Sequence, residues 1–393
     1  MAEECTPTIN TGLRGVTVAS TKISDVIGAK GKLIYRGYLA SDLAAKAGFE
    51  EIVHLLLFEK LPNKDQLTSL KQQLAAERQI PKSIIEALKT CPPSALPMDV
   101  LQAAVALLAT TDKEAADKSR PMATRKAIRL IAKLATVLAA WERIRKGKEP
   151  VTPDPTMNHA ANFLYMLTGQ KPNPDLVHFM DVALVLHAEH SFNASTFAAR
   201  EVASTRAHMY AAVSAAIGSL SGELHGGANV RVMEMLLEIG SPDRIASYIN
   251  KTLDEGKLIM GLGHAVYQTD DPRAHILAPM SKRAGELAGD TRWYEISTIL
   301  EKEGKKIFKE RKKIDIYVNV DFYSASLYYS MGIPVDLYTP IFAISRVAGW
   351  CAHVIEEQYA EAAPKPMLYR PESKYIGEYC GPDECSFVPI EKR

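Results

Sequence analysis

The chain has 393 residues, of which 47% are hydrophobic and 24% are charged, values typical of a soluble globular protein. With 47 lysine and arginine residues against 46 aspartate and glutamate residues, its formal net charge is +1. This balance gives no reason to expect nucleic acid or an anionic membrane as a partner. The length allows about two or three domains, or one elaborated core.

We expect no targeting segment at the start of the chain. The opening MAEECTPTIN contains two acidic residues and no apolar core, unlike a secretory signal or a basic transit peptide. No window of the sequence approaches the roughly 18 apolar residues that a membrane span needs. We therefore expect a protein without a membrane partner.

The cysteines predict the redox environment. There are five, an odd number in a long chain, which argues against a disulfide framework. Cys380 and Cys385 in CGPDEC could chelate a metal, but no second pair or nearby histidine completes a site. We expect reduced thiols, a cytoplasmic location and no bound metal.

Strand-like patterns occur only near the start of the chain. Residues 15–21 (GVTVAST) and 30–38 (KGKLIYRGY) are short segments with β-branched residues and polar alternation. They predict a short N-terminal β-hairpin.

Helical patterns begin at Ser41, a plausible N-cap, and the first of them ends at Pro62. Apolar residues then recur at spacings of three and four. Segments with this pattern are 63–80, 81–91, 98–111, 122–147 and 157–169. The stretches around residues 181–186 and 207–220 are apolar on most sides, which is typical of the centre of a large α-helical domain.

The chain changes character after Gly240. Shorter and more polar helical segments follow, and then a long apolar helix returns. The short segments are 241–257, 280–289 and 297–313, and the long one is 340–359. This order predicts a mainly α fold, with a large helical domain into which a smaller helical domain is inserted. The large domain is expected at residues 1–226 and 328–393, and the small domain at residues 227–327.

Several histidines lie beside turns. His187 and His190 are three residues apart at the end of an apolar helix, in LHAEHSFNASTFAAR. His225 precedes two glycines in LHGGAN, and His264 follows a glycine-flanked turn in IMGLGHAVY. Structural interpretations exist for each: a core histidine bonded to a carbonyl at 190, a helix C-terminus at 225, and a turn residue at 264. The GLG segment lacks the third glycine of a dinucleotide fingerprint.

One carboxylate and three arginines accompany these histidines. Asp321 stands in an apolar, aromatic stretch just before a helix, where it could be an N-cap. Arg273 and Arg346 occupy apolar or turn settings, and Arg370 lies in an irregular C-terminal tail that we expect to cover a surface such as that of a neighbouring subunit. Guanidinium groups suit the capture of carboxylates, and histidines with a carboxylate are the components of acid–base catalysis. The residues together predict acid–base chemistry on a polycarboxylate.

The segments LHAEHSFNASTF, LHGGAN, IMGLGHAVY…DPRA, NVDFYSA…MGIP and ISRVAGW…RP resemble, in this order, the motifs of the citrate synthase family. The opening GLRGVTVASTKISDVIGAKGKLIYRGY resembles the amino-terminal hairpin of that family, so the resemblance runs from about residue 12 to the end. It implies a mostly helical homodimer in which a small domain closes over substrates on a large one. It also implies the condensation of acetyl-CoA with oxaloacetate and water to give citrate and CoA.

The resemblance implies roles for seven side chains. Asp321 would remove a methyl proton from acetyl-CoA, and His225 would stabilise the resulting enol or enolate. His264 would polarise and protonate the keto oxygen of oxaloacetate, after which citryl-CoA is hydrolysed. The residues implied to hold oxaloacetate are His190, Arg273, Arg346 and, from the partner subunit, Arg370.

The resemblance also implies a site for CoA. The turn of residues 258–263 would make main-chain contacts to the adenine, with Asn319 nearby. The turn consists of Leu258, Ile259, Met260, Gly261, Leu262 and Gly263. Acetyl-CoA is a substrate here, and no metal or redox cofactor is expected.

The chain departs from the family at two positions. Many small bacterial relatives have a GHRVYK pattern, whereas this chain has Ala265 and Gln268. The resemblance therefore implies that two contacts to the CoA phosphates are missing. Members that make 2-methylcitrate from propionyl-CoA often lack the same basic residues, so both acyl donors stay open. A catalytically silent assembly subunit is a third alternative, against which the intact set of His225, His264 and Asp321 argues.

Overall fold

A computed structural model describes residues 9–13, 15–264, 266–378 and 387–393. Ala265, Cys380 and Cys385 lie outside these ranges. Within them the chain forms three short strands and sixteen α-helices. The strands are β1 (Ser24–Ile27), β2 (Lys32–Tyr35) and β3 (Tyr38–Leu39). The helices are α1 (Ala40–Lys46), α2 (Phe49–Phe58), α3 (Lys64–Glu77), α4 (Lys82–Thr90), α5 (Pro97–Thr111), α6 (Arg120–Arg145), α7 (His159–Thr168), α8 (Pro174–His187), α9 (Ala194–Ser204), α10 (Met209–Leu220), α11 (Ala228–Ile239), α12 (Ile245–Asp254), α13 (Ala274–Ala288), α14 (Arg292–Lys312), α15 (Val320–Ser330) and α16 (Tyr338–Gln358).

The N-terminal strands form one antiparallel sheet in the order β1, β2, β3. A hairpin is confirmed, but the prediction of a strand at residues 15–21 is wrong. Val16 and Val18 are 42% and 36% exposed, so their alternation buries no apolar face. The strand that pairs with β2 begins only at Ser24, directly after the fully buried Ile23.

The first predicted helix is divided into two. Its predicted cap, Ser41, is wrong, since α1 begins one residue earlier and Leu39 holds the N-cap position. The helix ends before Gly48, whose backbone N–H donates to the Glu51 carboxylate at 2.8 Å. This bond starts α2, because it satisfies an N–H at the helix N-terminus.

The core of the fold surrounds α16. This helix is buried along nearly its whole length and packs against α6, α8, α9 and α10. Its neighbour α6, with 26 residues, is the longest helix in the described ranges and is also largely buried. The mainly α fold is thus confirmed, and α16 carries Arg346 through the centre of the molecule.

Helices α11 to α15 pack largely against one another. α13 lies against α15, and α12 lies against α14. The division of the chain at residues 227 and 327 stays a prediction, and α15 continues through the second boundary to Ser330. None of the helices in the described ranges combines the length and the apolar character that crossing a bilayer requires.

Candidate active site

His225 lies in the turn between α10 and α11. The helix-terminus interpretation is wrong, because α10 ends at Leu220 and Ser221 holds the C-cap position. Gly226 follows because the backbone here passes close to the end of α10. A Cβ atom on Gly226 would lie 1.9 Å from the carbonyl oxygen of Leu220. A glycine is therefore required where His225 enters the site.

We expect Gly226→Ala to lower the free energy of unfolding by about 1–3 kcal/mol, because the backbone must shift to relieve the clash. It should also lower the turnover number, since His225 moves with the backbone. Thermal unfolding and activity measure the two effects. Gly227→Ala is the matched control, because its Cβ would meet only the Arg231 side chain, at 3.6 Å. Equal effects of the two substitutions would contradict this account.

The contacts of His225 define which ring nitrogen carries its proton. The backbone N–H of Ser195 donates to Nε2 at 3.1 Å, so Nε2 is an acceptor. The Ser195 hydroxyl lies 2.9 Å from Nε2 and 2.8 Å from the Asn193 side-chain oxygen, and it accepts from Trp350 at 3.2 Å. Burial lowers the pKa of His225 to about 4. The ring is therefore neutral at pH 7, with its proton on Nδ1.

His264 is also neutral, but its ring proton lies on the other nitrogen from that of His225. Its Nδ1 accepts from the backbone N–H groups of Val266 and Tyr267, at 2.9 and 3.1 Å. Burial and the nearby Arg273 cation lower the pKa of His264 to about 4. The proton therefore lies on Nε2. The residue lies in an irregular loop just after the turn at Met260 and Gly261, and its ring centroid is 5.5 Å from that of His190.

The two histidines at the end of α8 differ in their surroundings. His187 is the core histidine, because its Nδ1 donates to the Ala183 carbonyl at 2.7 Å. His190 instead has Nε2 3.3 Å from the hydroxyl of Tyr267. Burial and the positive charge of Arg273 hold the pKa of His190 well below its usual value. His190 is thus a neutral polar group facing the His264 loop.

Asp321 lies in the first turn of α15. The N-cap interpretation is wrong, because Asn319 holds that position and its side-chain oxygen accepts from the Asp321 N–H at 3.1 Å. Burial raises the pKa of Asp321 to about 6, against the lowering effect of Arg273. A carboxylate that is ionised at pH 7 but more basic than usual is suited to remove a proton.

Two buried arginines lie near these groups. Arg273 is 3% exposed, and its Nε and Nη2 atoms bind the Asp271 carboxylate at 2.9 and 2.7 Å. Arg346 is 1% exposed, its Nε donates to the His187 carbonyl at 2.6 Å, and its guanidinium lies 4.7 Å from the Phe342 ring centroid. Burial lowers the pKa of Arg346 to about 10, so it stays charged at pH 7. Among the described residues, no carboxylate forms an ion pair with Arg346.

The turn of residues 258–263 is fastened to the segment that leads into α15. The Gly263 N–H donates to the Tyr317 carbonyl at 2.7 Å, and the Asn319 N–H donates to the Gly261 carbonyl at 3.0 Å. The Asn319 side-chain amide also donates to the Gly263 carbonyl, at 3.1 Å. Leu258 is 82% exposed at the start of the turn. The turn and Asp321 therefore share one rigid support.

Comparison with known proteins identifies the family. A model described as "Citrate synthase, C-terminal domain" matches residues 12–372. The chain belongs to the citrate synthase family. It is 47% identical to "Citrate synthase 2" of Bacillus subtilis, over 98% of this chain and 100% of that one.

Two further relatives bear on the ligands of the citrate synthase family. A "2-methylcitrate synthase" of Mycobacterium tuberculosis is 38% identical, over 94% of this chain and 91% of its own length. A solved ternary complex of carboxymethyl coenzyme A and oxaloacetate with citrate synthase from Thermoplasma acidophilum has a TM-score of 0.89 and 33% identity, and covers 99% of this chain and 100% of that one.

One residue that the citrate synthase resemblance assigns to the oxaloacetate site has no hydrogen bond or ion pair with the others in the described part of the chain. Arg370 is exposed in the irregular tail. Its side chain forms no hydrogen bond or ion pair with any residue that the structure describes. The preceding residue fixes the tail to α9, where the Tyr369 N–H donates to the Ser204 hydroxyl at 3.2 Å. The role of Arg370 in a partner's site stays a prediction.

Three residues of the site were not identified from the sequence. Ser195 fixes the tautomer of His225, Tyr267 contacts His190 and His264, and Asp271 holds Arg273. Asp271 stands in DDPRA next to a predicted site residue, which was a usable signal. Ser195 is 30 residues from His225, and no local pattern indicates that contact.

A cluster of possible metal ligands includes two residues that flank Arg273 in the sequence. Ligand atoms of Asp270, His275 and Glu301 all lie within 4.8 Å of one another. The Lys305 ammonium group binds Asp270 at 2.9 Å and Glu301 at 2.7 Å. The cluster is thus an ion-pair network with its own cation, and the expectation of no resident metal stays a prediction.

Proposed function

We propose that the protein condenses acetyl-CoA with oxaloacetate and water to give citrate and CoA. The observation that carries this proposal is the buried Arg346 guanidinium, which forms no ion pair with a carboxylate of the described residues. Glu189 and Asp321 raise its pKa, but neither forms an ion pair with it. A buried cation is costly unless an anion compensates it, and a dicarboxylate substrate supplies that anion. Arg273 and the neutral His190 would complete the pocket, together with Arg370 of a partner subunit in a homodimer.

The acid–base groups support a stepwise reaction. Asp321 would take a proton from the methyl group of acetyl-CoA, for which its raised pKa is suited. The Nδ1–H of His225 would donate to the thioester oxygen, where negative charge develops as the enol or enolate forms. A neutral imidazole serves this role better than a cation that would release its proton to the solvent.

The second histidine would act on the other substrate. The Nε2–H of His264 would polarise the keto oxygen of oxaloacetate and protonate it as the new carbon–carbon bond forms. Water would then cleave the citryl thioester and release CoA and citrate. The turn of residues 258–263 would hold the adenine of CoA through its main chain, with Asn319 supporting it. A cytoplasmic location is part of this proposal.

The single experiment that tests the function is the release of free thiol from acetyl-CoA, from propionyl-CoA and without an acyl donor, each with oxaloacetate. We expect kcat/KM to be higher for acetyl-CoA. The second candidate is 2-methylcitrate synthase, which Gln268 and the Mycobacterium tuberculosis relative favour. One methylene in an apolar pocket changes specificity by only about 1–3 kcal/mol, so the two rates must be compared directly. No thiol from either donor would indicate a silent assembly subunit.

The site residues divide between the two predicted domains, which predicts closure on substrate binding. His190, His225 and Arg346 lie in the predicted large domain, whereas His264 and Asp321 lie in the predicted small domain. Oxaloacetate that binds both sets would draw them together and exclude water from the enol intermediate. We expect it to compact the protein and to tighten acetyl-CoA binding by about tenfold.

Small-angle X-ray scattering and titration with acetyl-CoA, each with and without oxaloacetate, measure this closure. Succinate, a dicarboxylate without the keto group, is the control ligand. Identical scattering profiles together with unchanged acetyl-CoA affinity would contradict closure.

A further inference from the structure

A buried charged network begins beside the His190 turn. Glu189 is fully buried. Its Oε1 atom accepts from the Ser24 hydroxyl at 2.8 Å and from the Ser191 backbone N–H at 2.5 Å. It also lies 3.0 Å from Nε2 of His353 on α16. The carboxylate therefore closes the turn around His190 and ties it to α16.

His353 joins this carboxylate to an arginine. Its Nδ1 atom lies 3.0 Å from Nη1 of Arg200. A guanidinium group can only donate, so Nδ1 accepts and the ring proton lies on Nε2, which donates to Glu189. His353 is thus held in one tautomer by the groups on its two sides.

Arg200 carries the network to the tail. It is 3% exposed and binds Glu356 and Glu357, each at 2.7 Å. The Tyr369 hydroxyl donates to the same Glu357 oxygen at 2.8 Å. Because Arg370 is the next residue, the position of its backbone depends on this contact.

The turn at Glu189 has little freedom to move. Gly349 of α16 lies directly against it, and a Cβ atom there would be 2.2 Å from the Glu189 Oε2 atom and 2.4 Å from the Ala188 carbonyl oxygen. The Gly349 N–H donates to that carbonyl at 3.2 Å. A change at the Glu189 carboxylate is therefore transmitted to the adjacent His190.

Stability alone does not explain the network. Arg200 binds two buried carboxylates, Glu356 and Glu357, and the third, Glu189, is joined to it only through His353. Glu189 Oε2 has no hydrogen-bond partner among the described residues. Well-packed apolar side chains are often as stable as buried ion pairs, and a partly satisfied polar network is costly. The charged groups add a fixed geometry at the two ends of the network, which are the His190 turn and Tyr369 in the tail.

We propose that Glu189, Arg200, His353, Glu356 and Glu357, together the buried network, position two oxaloacetate-binding groups: His190 in the same subunit's site and Arg370 for the neighbouring subunit's site. These are positioning residues, because they act through His190 and Tyr369 rather than on the substrate. The inference rests on the proposed function, in which both groups bind oxaloacetate.

Two substitutions of His353 separate positioning from stability. His353→Asn keeps an acceptor for Arg200 and loses the donor to Glu189, whereas His353→Gln keeps a donor near the Nε2 position. Arg200 retains both ion pairs in each variant. We expect His353→Asn to weaken oxaloacetate binding about tenfold. The separate variant His353→Gln should bind oxaloacetate within about twofold of the unmodified protein. The KM for acetyl-CoA and kcat at saturating oxaloacetate should change little.

The tail end of the network has its own variant. Tyr369→Phe removes the hydroxyl that binds Glu357 and should weaken oxaloacetate binding by about five- to tenfold. Tyr375→Phe is the control, since its hydroxyl donates to the Glu378 carbonyl within the tail. Calorimetric titration with oxaloacetate and thermal unfolding are measured for all four variants.

Two results would overturn the proposal. One is an unchanged oxaloacetate affinity in both His353→Asn and Tyr369→Phe. The other is an affinity that falls together with the melting temperature in both His353 variants. Thiol release by the unmodified protein tests the proposed function separately. A protein that binds oxaloacetate but releases no CoA lacks the proposed activity, and the binding measurements still decide the role of the network.

Discussion

Asp321→Asn is expected to lower the rate of citrate formation by about 10³-fold or more, because the amide cannot accept the methyl proton of acetyl-CoA. Oxaloacetate binding should be nearly intact, since asparagine has the shape of aspartate. Thiol release measures the first effect, and calorimetric titration measures the second. The expectation rests on a carboxylate whose pKa burial raises to about 6 and which does not cap its helix.

The same carboxylate predicts the pH dependence of the unmodified protein. A base acts only when ionised, so kcat/KM should fall as the pH falls through about 6, the pKa of Asp321. The pKa values of His225 and His264 are lowered to about 4, so both rings stay neutral over this range. A pH profile of initial rates therefore reports on Asp321.

Asp315→Asn is the matched control for this position. Asp315 lies six residues earlier, is exposed and pairs with Lys309 on the surface. The Asp315→Asn variant should retain full activity and the same fall in kcat/KM at low pH. An Asp321→Asn variant that keeps most of its activity would remove Asp321 from the mechanism.

Local periodicity predicted the helices well because it reflects which face each helix buries. The pattern at residues 122–147 corresponds to α6 at Arg120–Arg145, and the apolar stretch at 207–220 corresponds to α10. The first strand was predicted at the wrong residues because a strand forms where a segment pairs with a neighbour. Residues 24–27 (SDVI) pair with β2, whereas Val16 and Val18 of the more β-branched GVTVAST are exposed. Strand position thus depended on tertiary contacts that no local pattern contains.

The candidate site also has features that the sequence predicted and features that it did not. His225, His264 and Asp321 were predicted because their motifs are short and ordered in the chain. The sequence left their tautomers and charge states open, since these depend on partners such as Ser195, whose N–H reaches His225 from 30 residues away. The network at His353 was not predicted either, because it joins residues more than 150 positions apart.

The second large effect concerns the sharing of sites between subunits. We expect Arg370→Ala to weaken oxaloacetate use without disrupting the proposed homodimer, because the side chain is exposed and makes no ion pair with the described residues. We expect His264→Ala to be inactive, because the keto oxygen loses its proton donor. Each variant alone should then have little activity at low oxaloacetate concentration.

Mixing the two variants should restore activity if Arg370 serves the neighbouring site. In a mixed dimer, one site combines the intact His264 of one subunit with the intact Arg370 of the other, and the second site carries both substitutions. Random exchange makes half of the dimers mixed, so recovery should reach about a quarter of the unmodified rate. Mass spectrometry of the intact dimers confirms the exchange. Mixed dimers without recovery would place Arg370 in its own subunit's site or outside the chemistry, because only a residue shared across the interface allows two defective chains to form one complete site.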